Sequence, residues 1–228
     1  MFETRPSRPR AWRVILFAVL LPVSITLQGC FGFIATGVLG SALVISDRRT
    51  IGAQTEDSAI NWKAGSQVSK RLGDLSELCH INYTSFDRNV LITGEVPDHQ
   101  VREAVGQEVL RVANVAGVFN ELRVSPVSSY ISRSNDSYIT TKVKANYVDS
   151  GPGFTANLVK VVTEDAVVYL LGIVSPSEAE IAKRLASTTP GVKKVVSLLD
   201  VRDDVEIQQL SVNEKKSEQE KFDDDIER

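Results

Sequence analysis

Histidine and cysteine are scarce in this 228-residue sequence, which contains two of each. The adjacent pair Cys79-His80 could bind a metal only with ligands distant in the sequence, because zinc takes about four ligands. No Ser/His/Asp grouping, glycine-rich phosphate loop or paired-carboxylate motif stands out either. The sequence therefore predicts no catalytic site, no metal site and no cofactor, and a protein that is not an enzyme.

An excess of positive charge is also missing, since 26 Lys and Arg stand against 29 Asp and Glu. Broad electrostatic capture of nucleic acid needs a basic face, so we expect no nucleic-acid partner. Much of the negative charge lies at the end of the chain, where residues 203–228 hold ten acidic and four basic side chains. This stretch is poor in large apolar residues, which predicts an acidic, disordered tail.

The sequence also lacks an apolar run of about 20 residues, the length that a bilayer-spanning helix needs. A shorter run from Val14 to Ile25 follows four arginines, and this layout is typical of a secretory signal peptide. The run leads into Leu27-Gln28-Gly29-Cys30. These four residues resemble a lipobox, where bacterial lipoproteins are acylated on the cysteine and cleaved just before it. An uncleaved signal anchor with a chance cysteine is the alternative.

The lipobox resemblance implies that residues 1–29 are removed and that Cys30 carries acyl chains. Two or more chains hold a protein stably on a membrane, at roughly 0.8 kcal/mol per buried methylene. Residue 31 is Phe and not the Asp that typically retains Gram-negative lipoproteins at the inner membrane, so the resemblance points to the outer membrane. Cys79 then has no partner for an internal disulfide and is expected to act as a small buried hydrophobe.

From about Asp57 to Val201 the same order of predicted helices and strands occurs twice. In the first copy, Ile60, Ala64, Val68 and Leu72 predict an amphipathic helix that starts near Asp57. A hairpin follows, with its turn at Asp87-Arg88-Asn89 and its second strand ending at Gly94. A second helix buries Val101, Ala104, Val105, Val109 and Val112, and Gly117-Val118 opens a last strand.

The second copy follows the same order, with Ile139, Val143 and Tyr147 on its first helix. Its hairpin turns at Glu164-Asp165 and reaches Gly172, and Ser175 to Glu178 has the spacing of a capping box. Gly191-Val192 opens the last strand. Because Gly94 and Gly117 lie further apart than Gly172 and Gly191, the second helix of the first copy is predicted to be about one turn longer. We predict an α+β fold with two tandem αββαβ units, each with helices packed on a small three-stranded mixed sheet.

This unit, with glycines at 94 and 117 and again at 172 and 191, resembles the BON domain. The segments Asp47–Gln54 and Ser134–Lys144 are similar to family segments that precede the first domain and open the second. A lipobox followed by two such units looks like the dual-BON outer-membrane lipoproteins of Gram-negative bacteria. The expected organisation is a signal peptide (1–29), a lipidated apolar and glycine-rich tether (30–56), BON domain 1 (57–125), a linker (126–134), BON domain 2 (135–202) and the acidic tail (203–228).

The resemblance implies that the second domain binds anionic phospholipid through its first helix, while the first domain is mainly a structural partner. It also implies support of outer-membrane integrity and localisation to division sites. The residues expected on this lipid-binding face are Tyr138, Thr141, Lys142, Lys144 and Ala145, with the helix N-terminus favouring an anionic headgroup. The first copy has Ala59 at the position of Tyr138, so the two copies are not interchangeable as lipid surfaces.

A second interpretation stays open beside lipid binding. In it, the protein is a periplasmic scaffold whose sheet or exposed helix docks envelope-assembly proteins, and the lipid serves only as an anchor. Separately from either function, Tyr138 packed against the other domain, with the lysines simply solvated, is the structural alternative to lipid contact.

Overall fold

A computed structural model describes residues 47–151 and 154–210 of the chain. Over these ranges the order helix, strand, strand, helix, strand occurs twice, which confirms the predicted α+β fold of two αββαβ units. The first unit adds a short fourth strand to the predicted three-stranded sheet. The first unit contains α1 (Ile51–Leu72), β1 (His80–Phe86), β2 (Asn89–Val96), α2 (His99–Leu110), β3 (Gly117–Asn120) and β4 (Arg123–Val124). The second contains α3 (Tyr130–Val148), β5 (Lys160–Glu164), β6 (Val167–Val174), α4 (Pro176–Ser187) and β7 (Lys194–Val201).

Four of the sequence predictions fall wholly or partly on residues outside these ranges: the signal peptide, lipidation at Cys30, the tether as far as residue 46, and the tail beyond residue 210. Among the helices that the structure describes, none combines the length and apolar character needed to cross a bilayer.

The central strand of each unit makes one antiparallel and one parallel pairing. In the first unit β2 pairs antiparallel with β1 and parallel with β3 and β4. In the second, β6 pairs antiparallel with β5 and parallel with β7. A parallel pair needs a crossover connection, and α2 and α4 supply it. The predicted helix stripes are buried against these sheets, including Ile60, Ala64 and Val68 in α1 and Ile139, Val143 and Tyr147 in α3.

Each hairpin is held by an aspartate on the leading helix of its unit. The turn residues Asp87-Arg88 and Asp165-Ala166 all have positive φ, which identifies type I′ turns. The Asp57 carboxylate accepts hydrogen bonds from both turn N–H groups of the first hairpin at 2.9 Å. Asp136 does the same in the second, at 3.0 and 2.8 Å. The second turn lies one residue later than predicted from the sequence.

Glycine is required where the second strand of each hairpin passes close to other backbone. A Cβ on Gly94, whose φ is +117°, would lie 1.9 Å from the carbonyl oxygen of His80. A Cβ on Gly172 would lie 2.4 Å from the carbonyl oxygen of Leu158. These two glycines occupy the same position in their strands, five residues after the strand begins.

The other glycine pair is not equivalent, contrary to the prediction. Gly117 pairs with the first residue of β2, whereas the first residue of β6 pairs with Lys194. The counterpart of Gly191 is therefore Asn114, and both residues have positive φ, 98° and 72°. The predicted difference in helix length is also wrong, because α2 and α4 have 12 residues each. Asn tolerates the left-handed conformation that usually calls for glycine. The first copy therefore has no glycine at this position, and the sequence comparison paired Gly191 with Gly117 instead of Asn114.

Both leading helices begin earlier than the sequence suggested. The Thr50 hydroxyl caps α1 by accepting from the Ala53 N–H, so residues 51–56 belong to a helix and not to the predicted tether. Ser129 caps α3 in the same way, and residues 130–134 of the predicted linker are helical. The expected disorder from residue 203 is also corrected, since residues 204–210 are helical and Ile207 is buried.

The two sheets face each other through the surfaces that their helices leave uncovered. An apolar cluster joins Phe86 and Leu91 of the first unit to Tyr169, Leu171 and Ile173 of the second. Alternate residues of β6, such as Val168 and Leu170, instead face the helices of their own unit. The helices α1 and α2 therefore lie on one side of the double sheet, and α3 and α4 lie on the other.

Candidate functional surface

The candidate lipid-binding residues are all brought to the exposed side of α3. The side chain of Tyr138 is 62% exposed, and Thr141, Lys144 and Ala145 are also exposed. Because residues three or four apart share a helix face, Thr141, Lys142 and Ala145 lie on the same face as Tyr138. Lys144 lies to the side of this stripe. At this exposure, Tyr138 is not buried against the other domain.

Lys142 is half-buried and already has two partners. Its ammonium group donates a hydrogen bond to the carbonyl oxygen of Pro190 and lies 4.6 Å from the centre of the Tyr138 ring. An ammonium group has three N–H donors, so two remain for other acceptors. The carbonyl and the ring hold Lys142 in place beside Tyr138. Lys144 is exposed, and within residues 47–151 and 154–210 it has no hydrogen-bond partner.

The surface of α3 is basic and apolar at once. Between Tyr130 and Val148 the basic residues are Arg133, Lys142 and Lys144, and the acidic one is Asp136. Asp136 is buried and turned towards the hairpin. The exposed apolar residues are Tyr130, Ile131, Tyr138 and Val148, between 62% and 86% exposed. This helix therefore presents cations and apolar groups to solvent without an exposed carboxylate.

The helix N-terminus does not contribute at Tyr138, which corrects one part of the sequence prediction. Because α3 begins at Tyr130, Tyr138 lies eight residues into the helix, about 12 Å along its axis. The dipole effect falls off within the first turn of a helix. The headgroup contacts available near Tyr138 are therefore side-chain cations and hydroxyls.

An exposed tryptophan on α1 is a feature that the sequence analysis missed. Counted from the hairpin-binding aspartates, Trp62 of α1 is the counterpart of Thr141, and Lys63 is the counterpart of Lys142. The Trp62 side chain is 75% exposed. The sequence did contain a signal for its exposure: Trp62 falls outside the buried stripe of Ile60, Ala64 and Val68, and it lies one helical turn after Ala59.

The segment before α1 joins the two units, which the sequence did not reveal either. Arg48 makes two hydrogen bonds to the Glu178 carboxylate, at 2.7 and 2.8 Å, and a third to the Ile173 carbonyl. Burial alone would raise the pKa of Glu178, but hydrogen bonds from Arg48 and Ser175 outweigh it and hold the pKa below its usual value. Ser175 and Glu178 form the predicted capping box, and the same carboxylate binds the other unit.

Arg49 serves the first unit. Its guanidinium donates to Asp57 at 2.6 Å and to Asp47, and it lies 3.8 Å from the centre of the Phe86 ring. Because Asp57 also binds the hairpin turn, Arg49 supports that turn indirectly, through the Asp57 carboxylate. Adjacent arginines thus hold two different units.

Cys79 shows no sign of chemical activation. Its side chain packs partly against the core of the first unit, and its Sγ–H donates to the Leu75 carbonyl. Burial, followed by the negative charge of Asp98, raises the pKa of the thiol. A raised pKa leaves less thiolate, the nucleophilic form, at neutral pH.

The family model for the BON domain matches residues 63–126 and 135–203, one match in each unit. The chain belongs to the BON domain family. It is 37% identical over 186 residues to "Outer membrane lipoprotein DolP" of Haemophilus influenzae, a match that covers 82% of this chain and 95% of that protein. It is 29% identical over 154 residues to "21 kDa hemolysin" of Actinobacillus pleuropneumoniae, covering 68% of this chain and 78% of the relative.

Among solved structures, the chain is similar to CdsD, a structural protein of the type III secretion system of Chlamydia trachomatis. The match covers 65% of this chain and 97% of that one, at 10% identity and a TM-score of 0.27.

Proposed function

We propose that this protein is an outer-membrane lipoprotein, anchored through Cys30, whose second BON domain contacts anionic phospholipid through α3. The exposed face of α3 carries the proposal, because it combines Tyr138 and Val148 with basic residues and has no exposed acid. The DolP relative, described as an outer membrane lipoprotein, supports the anchor and its location.

The chemistry of the α3 face suits the headgroup region of a bilayer. A tyrosine ring has an apolar body and a polar hydroxyl, so it is stable where one end is dry and the other is wet. Each Lys near an anionic membrane surface adds about 1 kcal/mol of attraction. Lys142 is held beside the Tyr138 ring, so the aromatic and cationic contacts come as a preformed pair. In this role the protein supports outer-membrane integrity and gathers at division sites, as the family resemblance implies.

Vesicle binding tests the lipid contact apart from the acyl anchor. The chain from residue 30 onwards, carrying Cys30→Ser, is mixed with vesicles containing phosphatidylglycerol and with vesicles of phosphatidylcholine alone. We expect binding to the anionic vesicles that weakens as salt is raised. Lys144→Ala should weaken this binding about fivefold, the equivalent of about 1 kcal/mol, and Tyr138→Ala should weaken it further.

Trp62→Ala is the matched control, because it removes an exposed aromatic from the corresponding helix on the other side of the double sheet. It should leave vesicle binding unchanged. Equal binding to both kinds of vesicle, or an equal loss from Trp62→Ala and Tyr138→Ala, would contradict the assignment to α3.

Docking of an envelope-assembly protein is the second candidate function, and the exposed Trp62 favours it. If α3 lies on the membrane, α1 is on the far side of the double sheet, so its 75% exposed indole faces away from the lipid. Photocrosslinkers at residues 62 and 138 in cells separate the two functions. Discrete protein adducts from 62 and lipid adducts from 138 would support both, and protein adducts from 138 alone would remove the lipid contact.

A further inference from the structure

A polar cluster lies between the two sheets, next to the apolar one. His80 on β1, Glu95 on β2 and Glu164 on β5 each point a ligand atom into it, and these atoms all lie within 4.8 Å of one another. The Nδ1 atom of His80 is 3.5 Å from a Glu95 carboxylate oxygen. Two of these residues belong to the first unit, and Glu164 belongs to the second.

Both carboxylates are buried, and among the described residues only Glu95 forms an ion pair with an arginine or lysine. Glu95 is fully buried and accepts from Arg123 at 3.0 Å and from the Ser128 N–H at 3.2 Å. Glu164 is 7% exposed and accepts from the Asn82 amide at 3.1 Å. Burial raises the pKa of Glu164, opposed by the Asn82 hydrogen bond and reinforced by the charge of Glu95. Thr93 also donates a hydrogen bond to Glu164, and the Arg123 guanidinium acts on it electrostatically, but within the described residues no cation donates a hydrogen bond to Glu164.

His80 contributes a buried nitrogen with no hydrogen bond. Its Nδ1 is shielded from solvent and has no hydrogen-bond partner in the part of the chain that the structure describes. Buried polar atoms are normally paired, so an exception of this kind needs an explanation. A cation beside this atom would use the lone pair of a neutral imidazole and offset the charge of the two carboxylates.

The cluster can be reached from solvent. A cleft of about 340 Å³ opens beside it between β1, β5 and the first half of α3. His80 and Glu164 line this cleft together with Asn82, Arg133 and Thr140. A metal site needs such an entry path.

We propose that His80, Glu95 and Glu164 bind a divalent transition-metal cation, for which Zn²⁺ is the best match, and that the bound metal clamps the two units together. Zinc accepts imidazole nitrogen and carboxylate oxygen at about 2.0–2.2 Å, whereas Mg²⁺ and Ca²⁺ favour sites made of oxygen. Asn82 donates a hydrogen bond to Glu164 and Arg123 donates one to Glu95, as outer partners of metal ligands do. The proposal is independent of lipid contact by α3.

Histidine NMR on the full-length protein in detergent tests the site directly, because the chain contains only His80 and His99. During titration with ZnCl₂ we expect the ring signals of His80 to shift and to stop changing at one equivalent. The signals of His99, exposed at the start of α2, should stay in place. MgCl₂ should shift neither residue.

Calorimetric titration with ZnCl₂ then compares variants. His80→Ala should lose the tight site, Glu164→Gln should bind at least tenfold more weakly, and His99→Ala should match the wild type. The acidic tail is present in every variant, so any zinc that it binds cancels in the comparison. Zinc should also raise the melting temperature of the wild type and not that of His80→Ala, since a ligand of the folded state stabilises it.

Failure to fold is visible separately, as a lost melting transition of the metal-free variant. In that case the unmodified protein still decides, through the two histidine signals. A His80 ring that responds to pH and not to zinc, or His80→Ala binding zinc as tightly as the wild type, would overturn the proposal.

Discussion

Helices α1 and α3 occupy the same place in their units, and each turns a buried aspartate towards its own hairpin. Their outward faces differ. Where α3 carries Tyr138 and Lys144, α1 carries Ala59 and Gly65, and its exposed aromatic is Trp62, one turn further on. The buried positions are therefore fixed by a shared fold, while the exposed positions have separated into two surfaces on opposite sides of the molecule.

The largest expected effect comes from removing the lipid anchor. This change tests whether the exposed face of α1 or of α3 can bind the membrane without it. Cys30→Ala should release the protein from membranes in cell fractionation, because no described helix can span a bilayer. Weak, salt-sensitive binding is expected to remain through α3. Firm sedimentation with membranes at high salt would show that another part of the chain anchors the protein.

Valine substitutions at Gly94 and Gly172 measure how strongly the stability of each unit depends on the close approach of its backbone there. Gly94→Val and Gly172→Val should each lower the free energy of unfolding by more than about 3 kcal/mol. Gly94→Val should be the worse of the two, because its φ is +117° and its Cβ would lie 1.9 Å from a carbonyl oxygen.

Gly65→Ala inside α1 is the control for these glycine variants. Its Cβ would meet nothing closer than 3.8 Å, so it should stabilise by about 0.5–1 kcal/mol in thermal or urea melts. An unchanged melt for Gly172→Val would contradict the close approach at that strand.

The paired aspartates test whether the two hairpin contacts are equally important. Asp136→Ala should cost about 3 kcal/mol, because it leaves two backbone N–H groups without their charged acceptor. Asp57→Ala should cost more, about 4 kcal/mol, since Asp57 also accepts from Ser85 at 2.6 Å and pairs with Arg49. Asp149→Ala, at an exposed helix end, is the control. Equal losses in urea melts would show that the Ser85 and Arg49 contacts add nothing.

The smallest effect concerns the pair that joins the units. Glu178→Gln should destabilise by about 1–3 kcal/mol at neutral pH. The folded-state pKa of Glu178 is lowered from the ordinary value of 4.5, so its stabilisation is complete above that value and is lost as the pH falls through the folded-state pKa. Melting curves against pH should therefore converge for wild type and Glu178→Gln in acid. The exposed Glu180→Gln is the control, and parallel curves would contradict the role of Glu178.

Local sequence patterns were enough to predict the fold. The contacts between residues far apart in the sequence could not be predicted from it. The stripes of Ile60 and Ile139 and the capping box at Ser175 follow from spacing alone, because their partners are a turn away. The pairing of Arg48 with Glu178 spans 130 residues, and no local pattern marks it. The same limit explains the metal prediction. Cys79-His80 was expected to need distant helpers. The pairing of β1 with β2 places Glu95 opposite His80, and the face-to-face packing of the two sheets adds Glu164.

Arg48 lies three residues before the start of α1, and its side chain binds Glu178 of the second unit. A pull on the chain from its amino-terminal side thus meets the Arg48–Glu178 pair first and Arg49 next, and the load divides between both units at once. Tension applied from this side is therefore shared between the two units and is not borne by α1 alone.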